Sequence, residues 1–152
     1  MDIGSGRGFP SANLSNFHPH PFVIDGVECS SMEGFLQSLK FDKPHIQVEV
    51  CKLVGLAAKF KGKKRNKAWK SRQKLWWQGK EFDRHGEEFQ LLLDRAFDAL
   101  SQNTNFQKAL LETGKSSLSH SIGSSDPHNT VLTVREFCGR LEKIRNRLQK
   151  KD

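Results

Sequence analysis

The stretch Phe22-Val23-Ile24-Asp25-Gly26-Val27-Glu28-Cys29-Ser30-Ser31-Met32-Glu33-Gly34-Phe35-Leu36-Gln37-Ser38-Leu39-Lys40-Phe41 decides the fold class. Two short apolar runs flank Asp25-Gly26, and such a two-residue connection favours a tight hairpin because both turn positions take positive φ. The period then changes. Phe35, Leu36 and Leu39 recur at helical spacing, which predicts a short helix from the Ser30-Ser31 pair to about Phe41. Ser30 and Glu33 fit a capping box in which Glu33 ties off the first turn. A hairpin feeding a helix points to α+β.

Outward from this stretch the signals are helical. After Pro44, the residues Ile46, Val50, Leu53, Val54 and Ala57 predict a second helix. Asp83 to Gln102 reads as a long amphipathic helix with Phe89, Leu92, Leu93, Ala96 and Leu100 inward. Asn103 or Thr104 caps a helix carrying Phe106, Ala109, Leu110 and Leu111, closed by Gly114. Thr133-Val134-Arg135-Glu136 is a capping box opening a last helix with Phe137, Leu141, Ile144 and Leu148 inward. Residues 1–12, rich in Gly, Ser and Pro, are expected to form a loop or frayed end outside the core. Residues 115–130 read as a polar, turn-rich loop around Ser124-Ser125-Asp126-Pro127. The expectation is one domain over 1–152, α+β and mainly helical.

The 152 residues carry 25 Lys plus Arg against 17 Asp plus Glu, a formal net charge of +8. Nine of the cations lie between Lys59 and Lys74 with no acid among them, so the remaining sixteen face seventeen acids. The excess is one patch, not a general property. Such a run is either a solvated face or a phosphate attractor. Trp69, Trp76 and Trp77, within and just after it, favour a nucleotide or polynucleotide over a lipid surface. No apolar run is long enough for a membrane span and the N-terminus lacks a signal-peptide layout, so a cytoplasmic location is expected. Three cysteines, Cys29, Cys51 and Cys138, without a C-x-x-C pair read as reduced, mostly buried thiols. The six histidines lack metal-ligand spacing, and the common phosphate-loop, dinucleotide, zinc-protease and nucleophile-elbow motifs are absent. With no Tyr, an aromatic platform must be Trp or Phe.

Leu14-Ser15-Asn16-Phe17, the Asp25-Gly26 hairpin and the helix Ser31 to Phe41 together resemble the YbiA-like, or NADAR (NAD and ADP-ribose associated), family. The pattern there is Ser-Asn-Phe, an aliphatic-Asp-Gly hairpin, then Ser/Thr-x-Glu-x-x-x-Gln-x-x-Lys-Phe. Leu75-Trp76-Trp77-Gln78-Gly79, Asp94-Arg95-Ala96-Phe97, Ala109 to Gly114, and Leu118-Ser119-His120 followed by Asp126 extend the resemblance over nearly the whole chain. Two departures stand out. Gly34 follows Glu33 where many relatives carry His or an aromatic, and Pro127-His128-Asn129 replaces a Trp-Gly after the late Asp.

The resemblance implies a YbiA-like fold, a small β-hairpin packed on a multi-helix core. It also implies an N-glycosidase acting on ADP-ribosyl or related ribosyl-phosphate substrates, without metal or cofactor. Cleaving a ribose–nitrogen bond passes through an oxocarbenium-like transition state that a carboxylate stabilises. Glu33 is the candidate, against its reading as a cap. Asp126 is the second carboxylate, against an Asx-turn before Pro127. Asn16 and Phe17 are candidate substrate contacts, Asn16 through ribose or a base edge. Lys40, two helical turns beyond Glu33, could meet a phosphate. Arg65 and Lys67 are further phosphate candidates, and Trp77 or its neighbour Trp76 the base-stacking candidate. Partners on this reading are an ADP-ribose-containing small molecule or ADP-ribosylated DNA or RNA. A non-catalytic ADP-ribose-binding module and a simple basic nucleic-acid-binding protein remain as alternatives from other classes.

Overall fold

Asp25 and Gly26 take φ of 49° and 78°, closing β1 (Phe22–Ile24) onto β2 (Val27–Cys29) with Phe22 opposite Cys29. The same device recurs in a hairpin that sequence periodicity misses. Gln78 and Gly79 take φ of 49° and 84° and join β3 (Lys74–Trp77) to β4 (Lys80–Asp83), antiparallel, with Leu75 opposite Phe82. The computed structural model describes residues 1–151. Its helices are α1 (Ser11–Leu14), α2 (Met32–Ser38), α3 (Pro44–Cys51), α4 (Gly55–Lys63), α5 (Asn66–Arg72), α6 (Glu87–Leu100), α7 (Thr104–Glu112) and α8 (Val134–Gln149). This is the expected mainly helical α+β architecture, with two small sheets in place of one.

One apolar cluster runs through the molecule. Phe35 and Leu39 of α2, Trp69 of α5, Leu75 and Trp77 of β3, Phe89, Leu93 and Phe97 of α6, Phe106 of α7 and Phe137 and Leu141 of α8 all belong to it. The inward stripe expected for α6 is buried, with Phe97 added. Asn103 caps α7 and Gly114 follows its end at φ 60°. Leu111, expected inward, is instead exposed. The Thr133 to Glu136 capping box forms with both reciprocal bonds. All three cysteines are buried free thiols. No helix among the described residues is long and apolar enough to cross a membrane.

Three local expectations are corrected. The N-terminal segment is not frayed: Ile3 is 1% exposed, and a bridge between Asp2 and Ser119, with Ile3 N–H donating to Ser119 carbonyl at 2.8 Å, docks it on the loop after α7. Composition missed this because one Ile among glycines carries no period. The helix after Pro44 is broken at Lys52 to Val54, so α3 and α4 are separate and Ala57 is exposed. Ser31, not Ser30, caps α2, its hydroxyl accepting from Gly34 N–H at 3.1 Å and donating to Leu53 carbonyl at 3.0 Å. Glu33 therefore stands in the first turn with its carboxylate unused as a cap.

Two contacts lock α2 in place. Gln47 of α3, 1% exposed, donates to the carbonyls of Ser38, Phe41 and Trp76 and accepts from Gln78 N–H, joining α2 to the second hairpin. Gly34 lies where a Cβ would meet the carbonyl oxygens of Leu53, Cys51 and Val50 at 2.5, 3.0 and 3.1 Å. The bare position after Glu33 is thus explained by the backbone that crosses it.

Two alanine substitutions should separate packing from propensity. Gly34→Ala is expected to lower stability by about 1–3 kcal/mol despite its helical position, since rigid carbonyls must move. Gly139→Ala, on α8 with nothing near its Cβ, is expected to raise it by up to about 1 kcal/mol. Thermal melts read by circular dichroism should show shifts of opposite sign, and a stabilised Gly34→Ala would refute the packing account.

Candidate functional site

A cleft of about 500 Å³ opens along α2, walled by the segment after α1, by α4 and α5, and by the loop between α7 and α8. Its size suits a nucleotide-sized ligand. Four of the sequence candidates line it: Asn16, Phe17, Glu33 and Lys40. Glu33 and Lys40 share the cleft because Lys40 closes the last turn of α2, its N–H donating to Gln37 carbonyl. Asn16 is coupled to Glu33 through the backbone, its carbonyl accepting from Glu33 N–H at 3.0 Å.

Protein crowds the Glu33 carboxyl, and this burial raises its pKa; a hydrogen bond from Gln37 and the charges of Lys40, Lys59 and His120 pull the other way without cancelling it. Gln37, one turn on, donates to Glu33 Oε2 at 3.0 Å. Its side chain fits only because residue 62 is glycine: a Cβ there would fall 1.7 Å from Gln37 Oε1. Burial pushes the Lys40 ammonium down to about 8, with Lys70 adding to the effect and Glu33 opposing it. Lys40 Nζ donates to Asn66 Oδ1 at 2.5 Å, which aims the amine along the cleft wall. Burial thus shifts a carboxylate and an amine in one cleft towards their neutral forms.

The other five candidates lie off this wall. Asp126 is exposed and accepts from His128 N–H at 3.0 Å and from Asn129 Nδ2 at 2.7 Å. It forms the Asx-type turn and holds Asn129, which does line the cleft. Arg65 Nε donates back to Lys40 carbonyl at 3.4 Å, and Lys67 is exposed beyond the rim. Trp76 and Trp77 alternate on β3. Trp77 is turned into the core, donating to Asp25 Oδ2 at 2.8 Å and packing edge-on to Phe35, and it borders a different hollow with Asp25 and Arg95. Trp76 is half-buried, its backbone N–H donating to Leu39 carbonyl at 2.8 Å. Strand alternation on β3 thus commits one of the pair to the core and keeps the other from the cleft.

The tryptophan of the cleft is Trp69, one turn beyond Asn66 on α5. It is buried, and its Nε1 finds no partner among the described residues. An unpartnered buried N–H is costly, and with Trp69 only 1% exposed this one is sealed within the wall behind the cleft. The basic run obscured this helix, although the Asn66 to Trp69 spacing is its signal. His120 is the other residue missed. Its Nδ1 meets Ile3 carbonyl at 2.8 Å, and a carbonyl can only accept, so Nδ1 carries the proton and Nε2 remains available. Gly123 leaves room for the ring, since a Cβ there would sit 2.5 Å from His120 Cδ2. Among the described residues no group of three or more His, Cys, Asp or Glu is arranged to hold a metal ion.

The NMR structure of the E. coli protein YbiA matches this fold with a TM-score of 0.63, covering 99% of this chain and 85% of that one. At 15% identity the likeness is one of fold, and it bears out the YbiA-like architecture. A protein of Enterobacteria phage T4, described as an uncharacterized 17.1 kDa protein in the Gp30-rIII intergenic region, is 37% identical over 150 residues, 97% of this chain and 98% of that one. The family described as Bacteriophage protein GP30.3 matches residues 8–146, so the chain belongs to the GP30.3 family, carried on a YbiA-like α+β fold.

Proposed function

We propose that the cleft hydrolyses the ribose–nitrogen bond of an ADP-ribosyl or related ribosyl-phosphate substrate. The observation that carries this reading is the pairing in one cleft of a crowded carboxylate, Glu33, with a buried amine, Lys40. In the reaction the C1′–N bond breaks and its electron pair leaves on the base nitrogen. Water oxygen bonds to C1′, and the water proton passes through the carboxylate or solvent to the departing base. Glu33, ionised, faces the positive charge that develops on the ribose and orients the water. Lys40 and Lys59 supply positive charge for phosphate on the same wall. Asn16, Phe17 and Asn129 would meet the sugar or base, with Asp126 acting through Asn129. Arg65 and Lys67, outside the wall, would meet only a ligand that extends past the rim. Trp69, 1% exposed, would back the cleft wall from within, and neither Trp76 nor Trp77 lines the cleft to stack on a base.

Glu33→Gln should abolish release of ADP-ribose from an ADP-ribosylated guanine oligonucleotide while substrate still binds. The same substitution should raise the melting temperature by a few degrees at neutral pH. The sign follows from linkage: a carboxyl whose pKa is raised by folding opposes the native state once ionised, and Gln removes that charge. Loss of stability instead would assign Glu33 a structural role. Binding without turnover by the unaltered protein would leave a non-catalytic ADP-ribose module.

Activity should follow a bell in pH. Turnover needs Glu33 ionised and Lys40 charged. The acid limb is expected above the ordinary glutamate value of 4.5, because burial raises Glu33, and the alkaline limb near pH 8, because burial lowers Lys40. Lys40→Met should raise KM by about 10–100-fold, as expected for a lost charged contact, and remove the alkaline limb. An unchanged alkaline limb in that variant would separate Lys40 from the reaction.

A further inference from the structure

The two helices beside the cleft carry cations that the rest of the molecule does not resemble. Elsewhere Arg84, Arg95, Arg140, Arg145 and Arg147 are each closed in an ion pair. None of the recorded ion pairs among the described residues involves any of the nine cations from Lys59 to Lys74. The segment holds no Asp or Glu. Nine charges without an ion-pair partner, six on the two short helices, two in the connection between them and one at the start of β3, repel one another and attract polyanions.

A second, independent feature sits among them. Helix α4 meets the body of the protein through Ala58 and Gly62, its two buried residues. That narrow footing turns nearly everything else outward. Leu56 and Phe60, four residues apart on one face, are 56% and 55% exposed, and helical spacing sets the exposed Lys63 and Lys64 one turn beyond Phe60 on the same side. An exposed aromatic in a lysine-rich helix has no role in the core that it leaves.

We infer that the α4–α5 face binds single-stranded nucleic acid, with Phe60 stacking on an unpaired base and the surrounding lysines taking backbone phosphates. Cation-lined aromatic platforms are what such strands require, since every unpaired base offers a flat face and every linkage a charge. A duplex fits less well because its base faces are already stacked. A membrane fits less well because α4 presents only two large apolar side chains between Lys59, Lys61 and Lys63, too narrow an apolar face for an interfacial helix. Lys59, Asn66 and Trp69 place this face at the rim of the cleft, so a strand lying on it would pass the cleft mouth. The inference stands apart from the bond cleavage proposed for that cleft.

The test is fluorescence anisotropy of the full chain with a labelled, unmodified single-stranded 12-nucleotide DNA. Such a strand carries no ribosyl adduct, so failure of the hydrolase reading leaves the result untouched, and failure here leaves hydrolysis of a small substrate untouched. With about four phosphate contacts, affinity should fall roughly 50-fold between 50 and 200 mM salt. Phe60→Ala should weaken binding about tenfold and Phe60→Trp should restore it, the pattern expected for stacking. Replacing Lys63 and Lys64 together by Ala should reduce the salt slope by roughly 1.4. Circular dichroism melts confirm that each variant folds. The proposal is overturned by no binding at 50 mM salt, by equal affinity of Phe60→Ala and the unaltered protein, by equal affinity for a blunt duplex, or by Phe60-dependent binding to phosphatidylserine vesicles in place of the strand.

Discussion

Arg84 and Glu136 fasten the loop wall of the cleft to the body of the protein. The guanidinium is 1% exposed, makes paired bonds to both carboxylate oxygens of Glu136 at 2.8 and 3.1 Å, donates through Nε to Thr130 carbonyl at 2.9 Å, and lies 5.0 Å over the Phe89 ring. Glu136 in turn accepts from Thr133 N–H and from Gln90. Burial works to raise this carboxyl, and the bonds from Arg84, Thr133 and Gln90 outweigh it and keep it below the ordinary glutamate range. A desolvated pair of this kind persists because nearly all its hydrogen-bonding capacity is used. It fastens the second hairpin, α6, the cap of α8 and the loop residue Thr130 to one another. That loop continues into Asn129 and Val131 on the cleft wall, so one wall of the site rests on an ion pair outside it.

The opposite wall depends on close approach. Gly34 admits the carbonyls that end α3, and Gly62 admits Gln37, which donates to the Glu33 carboxylate. Small residues at these crossings bring α2, α3 and α4 near enough to crowd Glu33 and Lys40, and the crowding perturbs both groups. Packing and chemistry are here the same fact, since removing water from the two side chains is what shifts them.

Much of the core was legible in the residues because it rests on local periodicity. The α6 stripe, the Asn103 and Thr133 caps, the Asp25-Gly26 turn and the pairing of Glu33 with Lys40 on one helix each need only neighbours within a few positions. The misses share a different cause. Trp77 and Trp69 are equivalent by composition, and only the sheet register of β3 and the docking of α5 assign one to the core and the other to the cleft. Ile3 and His120 meet across more than a hundred residues. The Gln78-Gly79 turn carries little signal because β3 and β4 lie between a basic run and an acidic helix start, where apolar alternation is short.

By itself the amino-acid sequence determined the class of fold, the hairpin-to-helix unit bearing Glu33, and a positive charge confined to residues 59–74. These follow from turn conformation, helical period and Coulomb repulsion, which act over short stretches of chain. Only the tertiary structure decided which carboxylate stands in the cleft, which tryptophan lines it, and that Asp126 reaches it through Asn129. Those outcomes depend on contacts between segments far apart in the chain, where burial and hydrogen-bond partners are set by packing that no single stretch encodes.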